Sequence, residues 1–143
     1  MVELAEEINT AAPLYVATRI WGALNDQRIA VNGAKVLLVG VTYKPDVADL
    51  SESPARPLAE RLQAWGAALA YHDPCVPRWR VPSLHRPFTL NSSPDIYEAA
   101  SGADLVVLLQ PHVAYDLEKL SAASSLLLDT RGLVSEADNV RRL

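Results

Sequence analysis

The sequence predicts an α/β fold with a doubly wound parallel sheet, on three grounds. Short continuous apolar runs, "KVLLVGV", "DLVVLLQ" and "SLLLDTR", have the length and composition of strands buried on both faces. Segments of helical periodicity separate them, so strand and helix alternate. Each strand stops at polar residues, "GVTYK", "HDP", "QPH" and "DTR", and a doubly wound sheet takes its ligands at those carboxyl ends.

Taken in order, a helix is expected from Pro13 to about Arg28, with Leu14, Ala17, Trp21 and Leu24 recurring at helical spacing and Ile20 beside them. Thr10 is placed to cap its start, and Asn32-Gly33 marks the turn after it. The strand "KVLLVGV" follows. In "SESPARPLAERLQAWG" Ser53 suits the N-cap, Pro54 the first helical position and Gly66 the C-terminal cap, with Ala55, Leu58, Ala59 and Leu62 on the buried face. Pro57 is tolerable because it falls in or near the first turn. "ALAYHDP" is a strand ending in an Asp-Pro turn. The prolines of "RWRVPSLHRPFTL" argue against a long element and leave a short strand near Phe88 to Leu90. "SPDIYEAASGA" reads as a short helix capped by Ser93, and "VAYDLEKLSAA" as another between the last two apolar strands. The tail after Ser135 reads as helical.

The chain has 143 residues, half of them hydrophobic and 21% charged, which suits one domain with a full core. Its formal net charge is −4, and its basic residues are scattered apart from Arg141 and Arg142. That distribution argues against nucleic-acid binding but not against a small anion, for which one or two placed cations suffice. Cys75 is the single cysteine, so no internal disulfide forms, and a reduced, cytoplasmic setting is expected. No run has the length of a signal peptide or a membrane span.

Several residues at the strand ends are chemical candidates, each with an ordinary alternative. Lys44 can reach a phosphate or a sugar carboxylate, or be a solvated loop lysine. Arg131 can grip a pyrophosphate with two hydrogen bonds, or pair with a neighbouring aspartate. Asp73 stands where dinucleotide-binding folds place a ribose-binding acid, although Asp-Pro is also a common turn. His112 can serve as an acid–base group, or as a cap or turn residue. Cys75 lacks an evident activating cation and reads as an inert loop thiol. Asp46, Asp49 and Glu52 match no calcium loop and read as a solvated acidic loop near a helix start.

The stretch "GVTYKPDVADLSESPARPLAERLQAWGAALAYHDPCVP", followed in order by "DLVVLLQPHVAYD" and "LLLDTRG", resembles the C-terminal domain of the UDP-glucose/GDP-mannose dehydrogenase family. The likeness is greatest to the branch acting on UDP-N-acetylhexosamines. "AEEINTAAPLYV" resembles the end of that family's central helix. The resemblance implies a Rossmann-like, UDP-binding domain over residues 33–143, preceded at 1–32 by the end of a connecting helix. In the complete family a glycine-rich domain binds NAD, and a cysteine carries a thioester during two oxidations at C6.

The sequence contains no G-x-G-x-x-G, and Cys75 does not match the family's thiol. The resemblance therefore implies a detached domain with no cofactor of its own, inactive alone, that binds UDP or a UDP-sugar. Alternatives are a subunit or fragment completed by a separate catalytic chain, and an interaction module that has lost its ligand. A homodimer is expected from the apolar leading helix. By the same resemblance Tyr43 and Lys44 lie along the nucleotide sugar and Arg131 reaches substrate. Ser51 replaces an arginine that reaches NAD in relatives, which fits the expectation that this chain does not contact NAD.

Overall fold

The structure, a computed structural model, describes residues 2–46, 48, 50, 53–83 and 86–143, with backbone alone for 2–12. The elements run α1 (Val2–Asp26), β1 (Lys35–Val39), α2 (Ala55–Ala64), β2 (Ala68–His72), β3 (Arg78–Val81), β4 (Phe88–Asn91), α3 (Ile96–Gly102), β5 (Leu105–Leu108), α4 (Leu117–Ala123), β6 (Leu127–Asp129) and β7 (Val140–Arg142). Five strands form one sheet in the order β2-β1-β5-β6-β7, every pairing parallel. The chain leaves β1 toward β2 and returns to β5 on the other side of β1. The strand order thus reverses between β1 and β5, and the crevice of a doubly wound sheet opens at that point. Register places Val39, His72, Leu108 and Asp129 in one row at the carboxyl edge.

Alternate residues of the central strands face opposite layers, as the two-residue period of a strand requires. Val36 and Leu38 of β1, with Leu105 and Val107 of β5, pack under α1 and α2. Leu37, Val39, Val106 and Leu108 pack under Ile96, Ala100 and Leu120 of α3 and α4. Leu58 and Leu62 of α2 are fully buried, each contributing about 1.5–3 kcal/mol relative to an exposed side chain. Gly66 closes α2 at φ +89, and a Cβ there would run into the Asn32 side chain. Gly33 N–H in turn donates to the Gly66 carbonyl at 2.8 Å, so the turn after α1 and the end of α2 are tied together.

The structure changes several expectations. The leading helix begins at Val2, so Thr10 lies inside it rather than capping it, and Pro13 sits mid-helix. Its buried stripe is Val16, Ala17, Ile20, Ala23 and Leu24, whereas Leu14 and Trp21 are about half exposed. The stripe is rotated because α1 covers both the sheet and α2. The first residue of α2 is Ala55, and Pro54 occupies the N-cap position. Ser53 still serves the helix start, because its Oγ accepts from Ala55 N–H and donates to the Val41 carbonyl. Asp95, not Ser93, caps α3, its Oδ1 accepting from the N–H groups of Tyr97 and Glu98. The tail forms β7 instead of a helix, because β6 offers it a free parallel edge. "RWRV" pairs with "FTLN" in an antiparallel hairpin. Asp49, Ser51 and Glu52 lie outside the described residues.

Candidate functional site

Beyond the carboxyl row, four segments converge: 40–46 after β1, Asp73 after β2, 110–112 after β5 and 129–131 after β6. Gly40 makes the convergence possible. It has φ +78, and a Cβ there would stand 2.7 Å from Gln110 Cβ and 2.9 Å from Gln110 N. Only a residue without a side chain lets the β5 strand end pass this close.

Asp73 is 1% exposed. Its Oδ2 accepts from Val41 N–H at 2.8 Å and meets His112 Nε2 at 2.9 Å, and its Oδ1 accepts from Cys75 N–H at 2.8 Å. The Asp-Pro turn is present, with Val76 N–H donating to the Asp73 carbonyl. The carboxylate, however, points inward to three donors rather than outward to a ribose. His112 is equally buried. Its Nδ1 accepts from Asp46 N–H at 2.7 Å, so the ring proton sits on Nε2 and is directed at Asp73. Neither ring nitrogen is free for acid–base work. His112 lies in a turn, its N–H donating to the Gln110 carbonyl, and its ring braces the loop after β1.

The donor atoms of Asp73, Cys75 and His112 lie within 4.8 Å of one another. A metal-binding histidine donates its second ring N–H to an acceptor. Here that nitrogen receives a hydrogen bond, so the cluster holds a proton in place rather than an ion. Burial, then the charges of Asp73 and Asp46, push the Cys75 thiol up, the opposite of what a nucleophilic thiolate needs. Beside them, burial lowers the His72 pKa despite Asp73. Its Nδ1 lies 3.1 Å from the Tyr115 hydroxyl, which itself donates to the His72 carbonyl.

The other half of the edge faces a cavity of about 330 Å³ lined by Gly40, Thr42, Ser53, Gln110, Thr130 and Arg131 among others. Asp129 is buried and shapes the turn that presents Arg131, its carboxylate accepting from the N–H groups of Arg131, Gly132 and Val134. The guanidinium makes no ion pair with Asp129 and donates to Gln110 Oε1 at 3.1 Å. Tyr43 and Lys44 follow Thr42 along the loop. Both are exposed, and the Lys44 ammonium stands 5.9 Å from the Tyr43 ring centroid. Thr42 Oγ1 donates to the Lys44 carbonyl at 2.7 Å, and Gln110 Nε2 to the Tyr43 carbonyl at 2.7 Å. Of the three residues that the resemblance assigns to substrate binding, Arg131 lines the cavity, while Tyr43 and Lys44 share the adjoining loop. Gln110 was not singled out. Its only trace in the sequence is a polar residue directly after the most apolar strand.

A sequence profile described as the UDP binding domain of the UDP-glucose/GDP-mannose dehydrogenase family matches residues 37–136, more than half of the chain. The chain belongs to that family. It is 29% identical over 143 residues to a UDP-N-acetyl-D-mannosamine dehydrogenase of Methanocaldococcus jannaschii, covering 94% of this chain and 30% of the relative. It is 33% identical over 115 residues to a UDP-glucose 6-dehydrogenase of Pseudomonas aeruginosa, covering 73% of this chain and 25% of the relative. Among solved structures, the UDP-N-acetyl-mannosamine dehydrogenase of Staphylococcus aureus superposes with a TM-score of 0.67 at 27% identity, over 95% of this chain and 31% of that one. A UDP-D-ManNAc dehydrogenase of Pyrococcus horikoshii superposes with a TM-score of 0.76 at 20% identity, over 97% and 32%, which supports the fold. The chain therefore spans less than a third of the relatives it matches, and corresponds to the family's C-terminal UDP-binding domain.

Proposed function

We propose that this chain holds the UDP part of a UDP-sugar, as one wall of the cleft of a UDP-sugar 6-dehydrogenase of the N-acetylhexosamine branch, and has no dehydrogenase activity alone. The observation that carries this reading is the cavity at the strand-order reversal, with Arg131 in its lining and the Tyr43–Lys44 loop next to it. Two cations of different reach suit a diphosphate: the planar guanidinium fixes two oxygens, and the ammonium follows as a flexible point charge. A cavity of about 330 Å³ is at the small end for a ligand pocket, as expected of a single wall.

The residues do not suit NAD. After Gly40 the β1–α2 loop contains no further glycine through Ala55, and the carboxylate that would hold a ribose is committed to Val41, Cys75 and His112. NAD and the catalytic thiol then belong to other parts of the enzyme.

UDP is expected to bind with high-micromolar to millimolar affinity, on the order of −4 to −6 kcal/mol, because each charge-assisted contact is weakened by solvent in an open half-site. Lys44→Ala should weaken binding without unfolding the protein, since a loop lysine contributes little to the core. NMR titration of wild type and variant checks this, and the same samples given NAD and UDP-sugar should form no NADH. No spectral change at millimolar UDP, or equal binding by the variant, removes the nucleotide reading.

A second reading has its own observation. Leu14, Tyr15 and Trp21 of α1 are 51%, 52% and 54% exposed, an apolar surface of the kind that meets another protein. A homodimer, or docking on a separate catalytic chain, follows from it. Light scattering at high concentration is expected to show a dimer that Trp21→Glu dissociates; a strictly monomeric mass counts against self-association.

A further inference from the structure

Gln110 is 5% exposed, yet both ends of its amide are directed at candidate ligand-binding residues. Nε2 donates to the Tyr43 carbonyl at 2.7 Å, and Oε1 accepts from Arg131 Nη1 at 3.1 Å. The orientation is determined by its surroundings. A flipped amide would set N–H against guanidinium N–H and oxygen against carbonyl oxygen. The backbone is held as well, since Gln110 N–H donates to the Val39 carbonyl at 3.2 Å and the residue packs on bare Gly40.

The partner's chemistry matters. Among the described residues the Arg131 guanidinium has no carboxylate partner. A neutral amide orients the guanidinium without neutralising it, so its charge remains available to a ligand. An aspartate or glutamate in the same place would compete with phosphate for the same donors. The same amide also restrains the peptide between Tyr43 and Lys44. An Arg131 displaced by a ligand therefore pulls on the loop that carries Lys44.

We propose that Gln110 is a positioning residue that couples Arg131 to the Tyr43–Lys44 loop and presents both cations together, un-neutralised, to the phosphates of an anionic ligand. The proposal rests on the UDP reading above and deepens it.

The test uses wild type, Gln110→Met, Gln110→Glu, Arg131→Ala and the Gln110→Met/Arg131→Ala double variant. Methionine keeps the volume packed on Gly40 while removing both hydrogen bonds, so the fold survives. Gln110→Met is expected to weaken UDP binding about three- to tenfold, the scale of one or two lost hydrogen bonds. The double variant should lose less than the product of the single losses, as a shared mechanism requires. Gln110→Glu should bind worse than Gln110→Met, because its carboxylate neutralises Arg131 and faces the Tyr43 carbonyl. In ligand-free protein, Arg131→Ala should move the amide NMR signals of Tyr43 and Lys44 in the wild-type background and leave them in place in the Gln110→Met background. A purely structural glutamine would produce neither the non-additivity nor this dependence. Wild-type UDP binding with multiplicative losses, or loop signals that move equally in both backgrounds, overturns the coupling alone. Absence of UDP binding by the wild type overturns the nucleotide reading and this role with it.

Discussion

Asp73→Ala is expected to lower the stability of the fold by about 3–5 kcal/mol, since each buried donor left without a partner costs about 1–3 kcal/mol. Three donors lose their acceptor at once: Val41 N–H, Cys75 N–H and His112 Nε2–H. Cys75 is only partly buried, so water replaces some of that bond, which brings the total below three full penalties. Against a total stability of roughly 5–15 kcal/mol the loss is large. The effect also reaches the site. Without Asp73 the imidazole loses its anchor, and with it the acceptor that holds Asp46 N–H and the loop carrying Lys44. Asp73→Asn keeps the shape and one acceptor oxygen and should cost less. Urea unfolding checks both, with the midpoint falling while the slope stays constant. A loss under about 1 kcal/mol for the alanine variant would show that the buried cluster is not holding the edge together.

Gly40→Ala is expected to cost about 2–4 kcal/mol, from about 1–2 for the left-handed backbone and the rest from overpacking. At φ +78 the new methyl meets the backbone and Cβ of Gln110 at 2.5–2.9 Å, and neither can move without shifting the end of β5. Gly33→Ala separates the two contributions. Gly33 has φ +90, but a methyl added there would meet nothing within 4 Å, so it reports backbone strain alone and should cost about 1–2 kcal/mol. If the two variants unfold at the same denaturant concentration, the contact with Gln110 is not what requires glycine at position 40.

Much of the architecture is legible in the chain itself. The runs in β1, β5 and β6 are too short and too continuously apolar to be anything but two-sided strands, and Gly66 marks the end of α2. What misled were the local signals. Thr10 and Ser93 are plausible caps by residue type, but α1 had begun upstream and Asp95 lay two residues closer to α3. The tail carries no strong strand pattern, and β7 forms because β6 has an open edge for it to join. Pairing of this kind is a property of the partner strand as much as of the segment itself.

For the site the division is different. Residue type and position after a strand mark Lys44, Arg131, Asp73 and His112 as candidates, because the carboxyl end of a doubly wound sheet collects polar groups. Only the tertiary structure decides what each group faces. Asp73 and His112 lie 39 positions apart and are brought together by strands β2 and β5 flanking β1. Their mutual hydrogen bond turns two candidates for ligand chemistry into a buried brace. Arg131 and Gln110 meet across 21 positions, and that contact leaves the guanidinium charged and oriented over a cavity. The sequence by itself determined the class of fold, the places where ligands can sit and the cations available there. Which polar groups are satisfied internally and which remain for a ligand was decided by the order of the strands, because a hydrogen bond depends on distance in space and not on separation along the chain.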